Sequence, residues 1–170
     1  RLPVRITPAA REFVESLAAE TDGPEAEQLR ALLDPERTDA VLAEMENGAG
    51  ARIDAMLHNT VSPTVVEGGS KINVHPSEVT LRLDGRTLPG VTAEEFLGEV
   101  RDVVGDVEGV TFDVVSRSGG GDADVDLGLF DLLGDVLTEQ DPEAVPVPYL
   151  LTAATDARFF DELGIQTYGY

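Results

Sequence analysis

The sequence predicts an α+β domain, in which an antiparallel sheet carries helices on one face, followed by a shorter α/β segment. Apolar residues recur at helical spacing through residues 1–57. Over 60–116 they alternate with polar residues, in the order β, β, α, β. The last part reads helix, strand, helix, strand, which is typical of an α/β unit that stops before its end. We therefore divide the chain into a first domain at 1–117, with a sheet-and-helix part at 58–117, and a partial α/β segment at 118–170.

The helical part contains four short amphipathic stretches, each with a recognisable end. In the first, Phe13, Val14 and Leu17 share one face, and Pro8 suits a first turn. Prolines, glycines and aspartates separate the stretches. The four predicted helices are 8–20, 25–33, 35–48 and 51–57.

The sheet part predicts strands separated by turns. In the strand 78–86, Val79, Leu81 and Leu83 face one way and polar residues face the other. Pro63 marks an edge or a bulge in the first strand. The helix that follows opens with a Thr-Ala-Glu-Glu capping box. The predicted strands are 60–69, 70–74, 78–86 and 110–116, with a turn at 75–77 and a helix at 92–105.

The second segment follows 118–124, a stretch of small and acidic residues that is typical of a linker. Its glycines resemble a phosphate-binding loop only in composition, because the Gly-Lys-Ser/Thr ending of such a loop is missing. Gly164 is placed to end a helix. The predicted elements are a helix at 125–142, a buried strand at 145–153, a turn and short helix at 154–164, and a strand at 165–170.

The charge of the chain limits its partners. Asp and Glu number 33 against 12 Lys and Arg, so the net charge is −21. Such a surface repels nucleic acid and anionic membranes, and we expect neither as a partner. A salt-tolerant surface and a GC-rich coding bias both fit an acidic chain whose single lysine is Lys71. Because the sequence shows neither a membrane span nor the apolar core of a signal peptide, we expect a cytoplasmic protein.

Few residues of the chain suggest catalytic chemistry. There is no Cys, and the two histidines, His58 and His75, stand far apart without an HExxH pattern. A nucleophilic serine in a Gly-x-Ser-x-Gly turn is absent as well. We therefore interpret both histidines as surface or turn residues, and expect neither a metal ligand nor a catalytic residue in this chain.

Three polar side chains are candidate binding residues. Asn73 lies in an apolar-alternating run, where strands rarely hold an amide. Arg86 ends a strand before a Pro-Gly turn, and Arg158 lies in a strand-to-helix turn, where α/β folds bind ligands. The fork of an arginine can donate two parallel hydrogen bonds to a substrate carboxylate. A turn amide and two surface ion pairs are the alternative interpretations.

Two stretches resemble one family of enzymes. GGSKINVHPSEVTLRLDGRTLPG (68–90) has an Asn-Val-x-Pro, then a strand that ends in Asp-x-Arg before a Pro-Gly. It resembles the lid signature of the aminoacylase, carboxypeptidase and acetylornithine deacetylase–succinyl-diaminopimelate desuccinylase family of di-zinc metallopeptidases. TAATDARFFDELGIQTYGY (152–170) resembles part of the catalytic domain of the same family, with its Thr-Asp-x-Arg turn. The resemblance covers most of residues 50–170.

The resemblance implies a lid and dimerisation domain at 1–117 and part of a zinc-peptidase catalytic domain at 118–170. It implies that Asn73 and Arg86 line the substrate pocket, often that of the partner subunit, and that Arg158 helps to hold the substrate carboxylate. The parent enzyme would use two zinc ions, held outside this chain, to cleave an amide bond of a small peptide or N-acyl amino acid. The chain would form a homodimer through the lid, bind no zinc and be inactive alone.

Two other interpretations stay open. A non-catalytic dimerisation or binding module would keep the lid without the metal half, and an unrelated α+β regulatory domain would make the two matches accidental. The geometry also poses a question about the pocket. If 75–77 is a tight turn, Asn73 lies opposite Thr80, and Arg86 lies about 20 Å further along the strand. One straight hairpin cannot then bring both side chains to one carboxylate.

Overall fold

The computed structural model describes residues 1–45, 48–118, 127–153 and 155–169. Four helices come first, followed by a β-hairpin and then three more helices. In chain order the elements are α1 (Pro8–Ala19), α2 (Pro24–Ala31), α3 (Thr38–Glu44), α4 (Ala49–Leu57), β1 (Thr60–Gly68), β2 (Val79–Arg86), α5 (Ala93–Val104), α6 (Phe130–Gln140) and α7 (Ala157–Asp161).

The first four helices pack their apolar stripes against one another. Thr7 caps α1 through its hydroxyl, and a proline occupies the first turn, where its missing N–H has no partner to lose. Apolar side chains from all four helices meet in one buried cluster. Its most buried members include Val14, Leu32 and Leu57. The four helices predicted within residues 1–57 are therefore confirmed, with ends within a few residues of the prediction.

β1 and β2 form a long antiparallel hairpin. Gly68 pairs with Val79 at the loop end, and Thr60 pairs with Arg86 at the opposite end. The ladder shifts its register next to Pro63, which confirms the bulge predicted there. The hairpin thus places the last residue of β2 beside the first residue of β1.

The strand predicted at 70–74 is wrong, and so is the tight turn at 75–77. Residues 69–78 form a single loop between β1 and β2. Its first residue, Gly69, takes a positive φ of 70°, and the Val74 N–H donates to the Lys71 carbonyl at 3.2 Å. β1 and β2 pair with each other along their whole length, so the hairpin contains no further strand with which residues 70–74 could pair.

α5 begins with the predicted capping box and packs on one end of the hairpin. Thr92 Oγ1 accepts a hydrogen bond from the Glu95 N–H, and the Glu95 carboxylate accepts one from the Thr92 N–H at 2.8 Å. The ring of Phe96 lies so close to Gly85 that a Cβ there would overlap it. Further along the same face Val66 is exposed. An antiparallel sheet with a helix on one face confirms the α+β part of the prediction.

The capping box makes the start of α5 sensitive to acid. Hydrogen bonds from the backbone N–H and then the hydroxyl of Thr92 favour the ionised carboxylate, and lower the pKa of Glu95 from its ordinary value of 4.5. A carboxyl with a lower pKa in the folded state stabilises the fold above its ordinary pKa. That contribution is lost as the pH falls through the folded-state value.

We therefore expect the Glu95→Gln variant to lose less stability than the wild type between about pH 6 and about pH 3. The reason is that the glutamine cannot gain a proton and so keeps the same cap at both pH values. Thermal unfolding in matched buffers measures both losses. Equal losses in the two proteins would contradict the prediction.

The strand predicted at 110–116 is wrong. In the part of the chain that the structure describes, these residues pair with no strand. The Arg101 guanidinium lies over the Phe112 ring, 5.7 Å from its centroid, while Val114 and Val115 are exposed. A strand requires a ladder of hydrogen bonds to a neighbour, so apolar alternation alone does not form one.

α6 and α7 confirm the two helices predicted after residue 118. The strands predicted at 145–153 and 165–170 are wrong, because their described residues form no ladder. Pro146 and Pro148 lack a backbone N–H, which weakens any ladder in the first of these segments. Instead of pairing in a sheet, this segment packs on α6, where the ring of Pro146 lies against Gly134.

Gly164 ends α7 as predicted. Its φ is 70°, and its N–H donates to the Asp161 carbonyl at 2.8 Å. The Ile165 N–H donates to the Phe160 carbonyl at 2.9 Å, which completes a Schellman motif. The linker predicted at 118–124 lies outside the described residues except for its first residue, so the domain division there stays a prediction.

Candidate functional site

The hairpin separates two of the three predicted binding residues. Asn73 lies in the exposed loop that joins the strands, and Arg86 is the last residue of β2 at the other end. β2 is eight residues long, which corresponds to about 25 Å. The hairpin of one chain therefore does not bring Asn73 and Arg86 to one small ligand, and this holds for the observed loop as it did for the tight turn that was predicted.

Arg86 presents its guanidinium to solvent. Its side chain is 54% exposed, and its Nε donates to Asp84 Oδ2 at 3.1 Å, two positions earlier on the same face. Among the described residues no other carboxylate lies within ion-pair distance of it. The two terminal nitrogens, which form the fork of the guanidinium, are thus open to a ligand.

Arg158 lies in the short helix α7 and is also exposed. Its guanidinium stacks over the ring of the next residue, Phe159, at 4.6 Å. No hydrogen bond or ion pair between described residues joins it to Asn73 or Arg86. The structure therefore shows three separate exposed polar groups and does not assemble them into one pocket.

A buried polar network, which the sequence interpretation missed, lies next to Arg86. Asn59 is 2% exposed and Glu99 is 8% exposed. The Asn59 Nδ2 donates to Glu99 Oε2 at 2.7 Å, and the Leu88 N–H donates to Asn59 Oδ1 at 2.8 Å. Arg5 Nε donates to Glu99 Oε1 at 2.6 Å. One network therefore joins the N-terminal segment, the start of β1, the end of β2 and α5.

The only sequence signal for this network is a charged residue, Glu99, on the apolar face of a helix. Glu99 interrupts the apolar face of α5 between Phe96 and Val100, where a solvated carboxylate would not be expected. Buried charges in proteins are paired, so a buried Glu99 implies a cationic side chain next to it in the fold. The partner, Arg5, is too distant in sequence for a local pattern to indicate.

His58 lies in a second charged cluster and is only 2% exposed, so its surface interpretation is wrong. Its Nδ1 lies 2.7 Å from Asp54 Oδ1, and its Nε2 lies 3.2 Å from Asp39 Oδ1. The Arg1 guanidinium donates to Asp39 at 2.6 Å, and this hydrogen bond lowers the pKa of the Asp39 carboxyl. His75 lies in the exposed loop, as predicted.

The cluster around His58 does not fit a zinc ion. The Asp39 carboxylate already binds a guanidinium, whose charge opposes a cation at the same oxygen. The Nδ1 of His58 faces Asp54, which leaves only Nε2 for a metal. Across the described ranges, no three His, Asp or Glu side chains are grouped to hold a metal. We assign no step through zinc to these residues, and the zinc site of the parent stays a prediction.

Within the described ranges, none of the helices combines the length and apolar character needed to cross a bilayer. The cytoplasmic location expected from the sequence stays a prediction.

Comparison with known proteins identifies the part of the chain that contains α1 to α5. Residues 8–110 match the profile of the peptidase dimerisation domain. A probable carboxypeptidase S-like 2 of Dictyostelium discoideum is 26% identical over 110 residues, which cover 64% of this chain and 21% of that relative. The chain thus spans about a fifth of the length of this curated relative. No solved structure gives a significant match. The resemblance in the lid signature is confirmed, and the chain belongs to the M20 family of metallopeptidases, of which it carries the peptidase dimerisation domain.

Proposed function

We propose that this chain supplies substrate-carboxylate recognition and the dimer contact to a metal-dependent hydrolase. The full-length enzyme in this proposal uses two zinc ions and cleaves an amide bond of a small peptide or an N-acyl amino acid. The observation that carries the proposal is the match of residues 8–110 to the peptidase dimerisation domain. The name of the relative, a probable carboxypeptidase, supports a substrate with a free carboxylate.

Arg86 is the residue proposed to bind that carboxylate. The net charge of −21 repels an anionic substrate, so recognition needs a local cation whose hydrogen-bond donors are free. The exposed fork of Arg86 meets this need, because Asp84 contacts only its Nε. A planar guanidinium can then donate two parallel hydrogen bonds to the carboxylate. Arg158, stacked on an exposed ring, is proposed as a second carboxylate contact on the catalytic side.

A homodimer would explain how Asn73 and Arg86 serve one pocket. They lie at opposite ends of β2 within one chain, so a small ligand can contact both only if they come from two copies. The lid hairpin with α5 is the proposed contact surface, and its exposed apolar residues, Val66 among them, support that role.

Removal of Arg86 tests the carboxylate proposal. In the full-length enzyme, Arg86→Ala is expected to lower kcat/KM for the free-acid form of the best substrate about tenfold to a hundredfold, because a hydrogen bond to a charged group is lost. The panel consists of N-acetyl amino acids and dipeptides, each assayed as the free acid and as the carboxamide. Activity on the carboxamide should hardly change.

Arg82→Ala is the matched control, since Arg82 lies on the same face of β2, is equally exposed and pairs with Glu67 at 3.7 Å. Loss of free-acid preference in both variants would point to a general charge effect and count against a role specific to Arg86.

Zinc dependence and dimer formation have separate readouts. Chelation should abolish hydrolysis by the full-length enzyme, and added zinc should restore it. Light scattering on the same full-length enzyme should give the mass of a dimer. The 170-residue chain alone should remain inactive with zinc. A full-length protein that dimerises without hydrolysing any substrate of the panel would favour the alternative, a non-catalytic dimerisation and binding module.

A further inference from the structure

The end of β2 is held by a side chain where the strand ladder stops. Thr60 pairs with Arg86 as the last rung of the hairpin. The residue before Thr60 is Asn59, and its Oδ1 accepts the Leu88 N–H at 2.8 Å. An amide side chain therefore takes the place of the next rung, two residues beyond the end of β2. Leu88 itself is 3% exposed, so this anchor is buried.

The orientation of the Asn59 amide follows from the chemistry of its neighbours. A backbone N–H can only donate, so the amide oxygen must face Leu88. An ionised carboxylate can only accept, so the amide nitrogen must face Glu99, whose Oε2 lies 2.7 Å away. Arg5 holds the other carboxylate oxygen at 2.6 Å. The amide is thus fixed at both ends by groups that cannot exchange roles.

We infer that Asn59 is a positioning residue for Arg86, an inference that rests on the proposed role of Arg86 in carboxylate binding. Terminal residues of a strand fray unless something holds them. Arg86 is the terminal residue of β2, its guanidinium is largely solvated, and its single ion pair is local. The backbone around it is held on one side by Thr60 and on the other by the amide of Asn59. The network thereby sets the direction from which the guanidinium meets the substrate.

The test uses the full-length enzyme and the ratio of kcat/KM for the free-acid and carboxamide forms of its best substrate. Asn59→Ala should lower this ratio about tenfold or more, because a small misplacement of a positioning group can cost up to about a hundredfold in rate. The double variant with Arg86→Ala should fall no further than Arg86→Ala alone, since both changes remove the same interaction. Leu32→Ala, in the buried helical cluster and away from the network, should lower stability and leave the ratio unchanged.

A paired substitution keeps the test decisive if Asn59→Ala does not fold. Asn59→Asp places two carboxylates against each other, and Glu99→Gln removes an acceptor that either Arg5 or Asn59 needs. Combined, N59D/E99Q satisfies every bond: the carboxylate at position 59 accepts from Leu88 and from the new amide, whose oxygen accepts from Arg5. The ratio should therefore fall in N59D and recover in N59D/E99Q.

The outcomes separate the two proposals. If Arg86→Ala leaves the free-acid preference unchanged, or if no substrate of the panel is hydrolysed, the proposed function fails and this inference falls with it. If Arg86→Ala removes the preference while Asn59→Ala and N59D keep it, the proposed function stands and Asn59 has only a structural role. A ratio that stays low in N59D/E99Q would likewise overturn the inference.

Discussion

Replacing Glu99 with alanine is expected to lower the free energy of unfolding by about 3 kcal/mol, because one change breaks a buried ion pair and leaves a buried amide without its acceptor. Glu99 is 8% exposed, and its two oxygens accept hydrogen bonds from Arg5 and from Asn59. Arg5 is 36% exposed, so water can replace part of its interaction, which keeps the expected loss at the lower end for a buried pair. Water cannot replace the acceptor of Asn59 Nδ2 in the same way, because Asn59 is only 2% exposed.

Urea denaturation of Glu99→Ala and two companions measures the effect. Glu99→Gln should lose about 1 to 2 kcal/mol, because the amide can accept from Arg5 or from Asn59 but must present a donor to the other. Glu94→Gln lies in the same helix on an exposed position and should change stability by less than about 0.5 kcal/mol. A loss at Glu99→Ala as small as at Glu94→Gln would show that the network does not stabilise the fold.

The network also shows which parts of this molecule could be predicted from the sequence. The helices were found because their signals are local: a threonine cap and proline before α1, a capping box at Thr92, a glycine after α7. Each of these devices acts within a few residues of its own position. A single sequence therefore contains all that is needed to identify them.

The strands could not be predicted in the same way, because a strand forms only beside a neighbour. Alternation predicted strands at 70–74 and 110–116, and both segments lack a ladder in the described residues. The strands predicted at 60–69 and 78–86 are confirmed, because they pair with each other as β1 and β2 and supply each other's hydrogen bonds. Apolar alternation shows that a segment suits a sheet, but the partner is a property of the fold.

The same distinction applies to the candidate site. Arg86 could be selected from local sequence, since a guanidinium between Gly85 and a Pro-Gly turn is an unusual combination, and the structure places it at an exposed strand end. Asn59, the residue inferred to position Arg86, could not be identified from the sequence, because its partners Leu88 and Glu99 lie far away along the chain. The residue proposed to bind is visible in the sequence, whereas the residue inferred to position it appears only once the chain is folded.

Replacing Gly50 with alanine is expected to lower the free energy of unfolding by about 2 kcal/mol, although alanine is the better helix former. Gly50 lies in the first turn of α4 and is buried against α3. A Cβ at this position would overlap the carbonyl oxygen of Leu42 and lie 3.3 Å from Cβ of Met45. The clash is with backbone, so no side-chain rotation relieves it, and α4 must move away from α3. That movement disturbs the cluster formed by Leu42, Ile53 and Leu57.

Gly98→Ala is the matched control, because Gly98 is also inside a helix and a Cβ there meets nothing within 4 Å. Alanine at that position should stabilise the protein by about 0.5 to 1 kcal/mol through helix propensity alone. Both variants replace a helical glycine with alanine. If the free energy of unfolding falls for Gly50→Ala and rises for Gly98→Ala, the steric clash is separated from helix propensity. If both variants gain stability in urea denaturation, α3 and α4 can move apart without cost, and the close approach at Gly50 does not hold the helical part together.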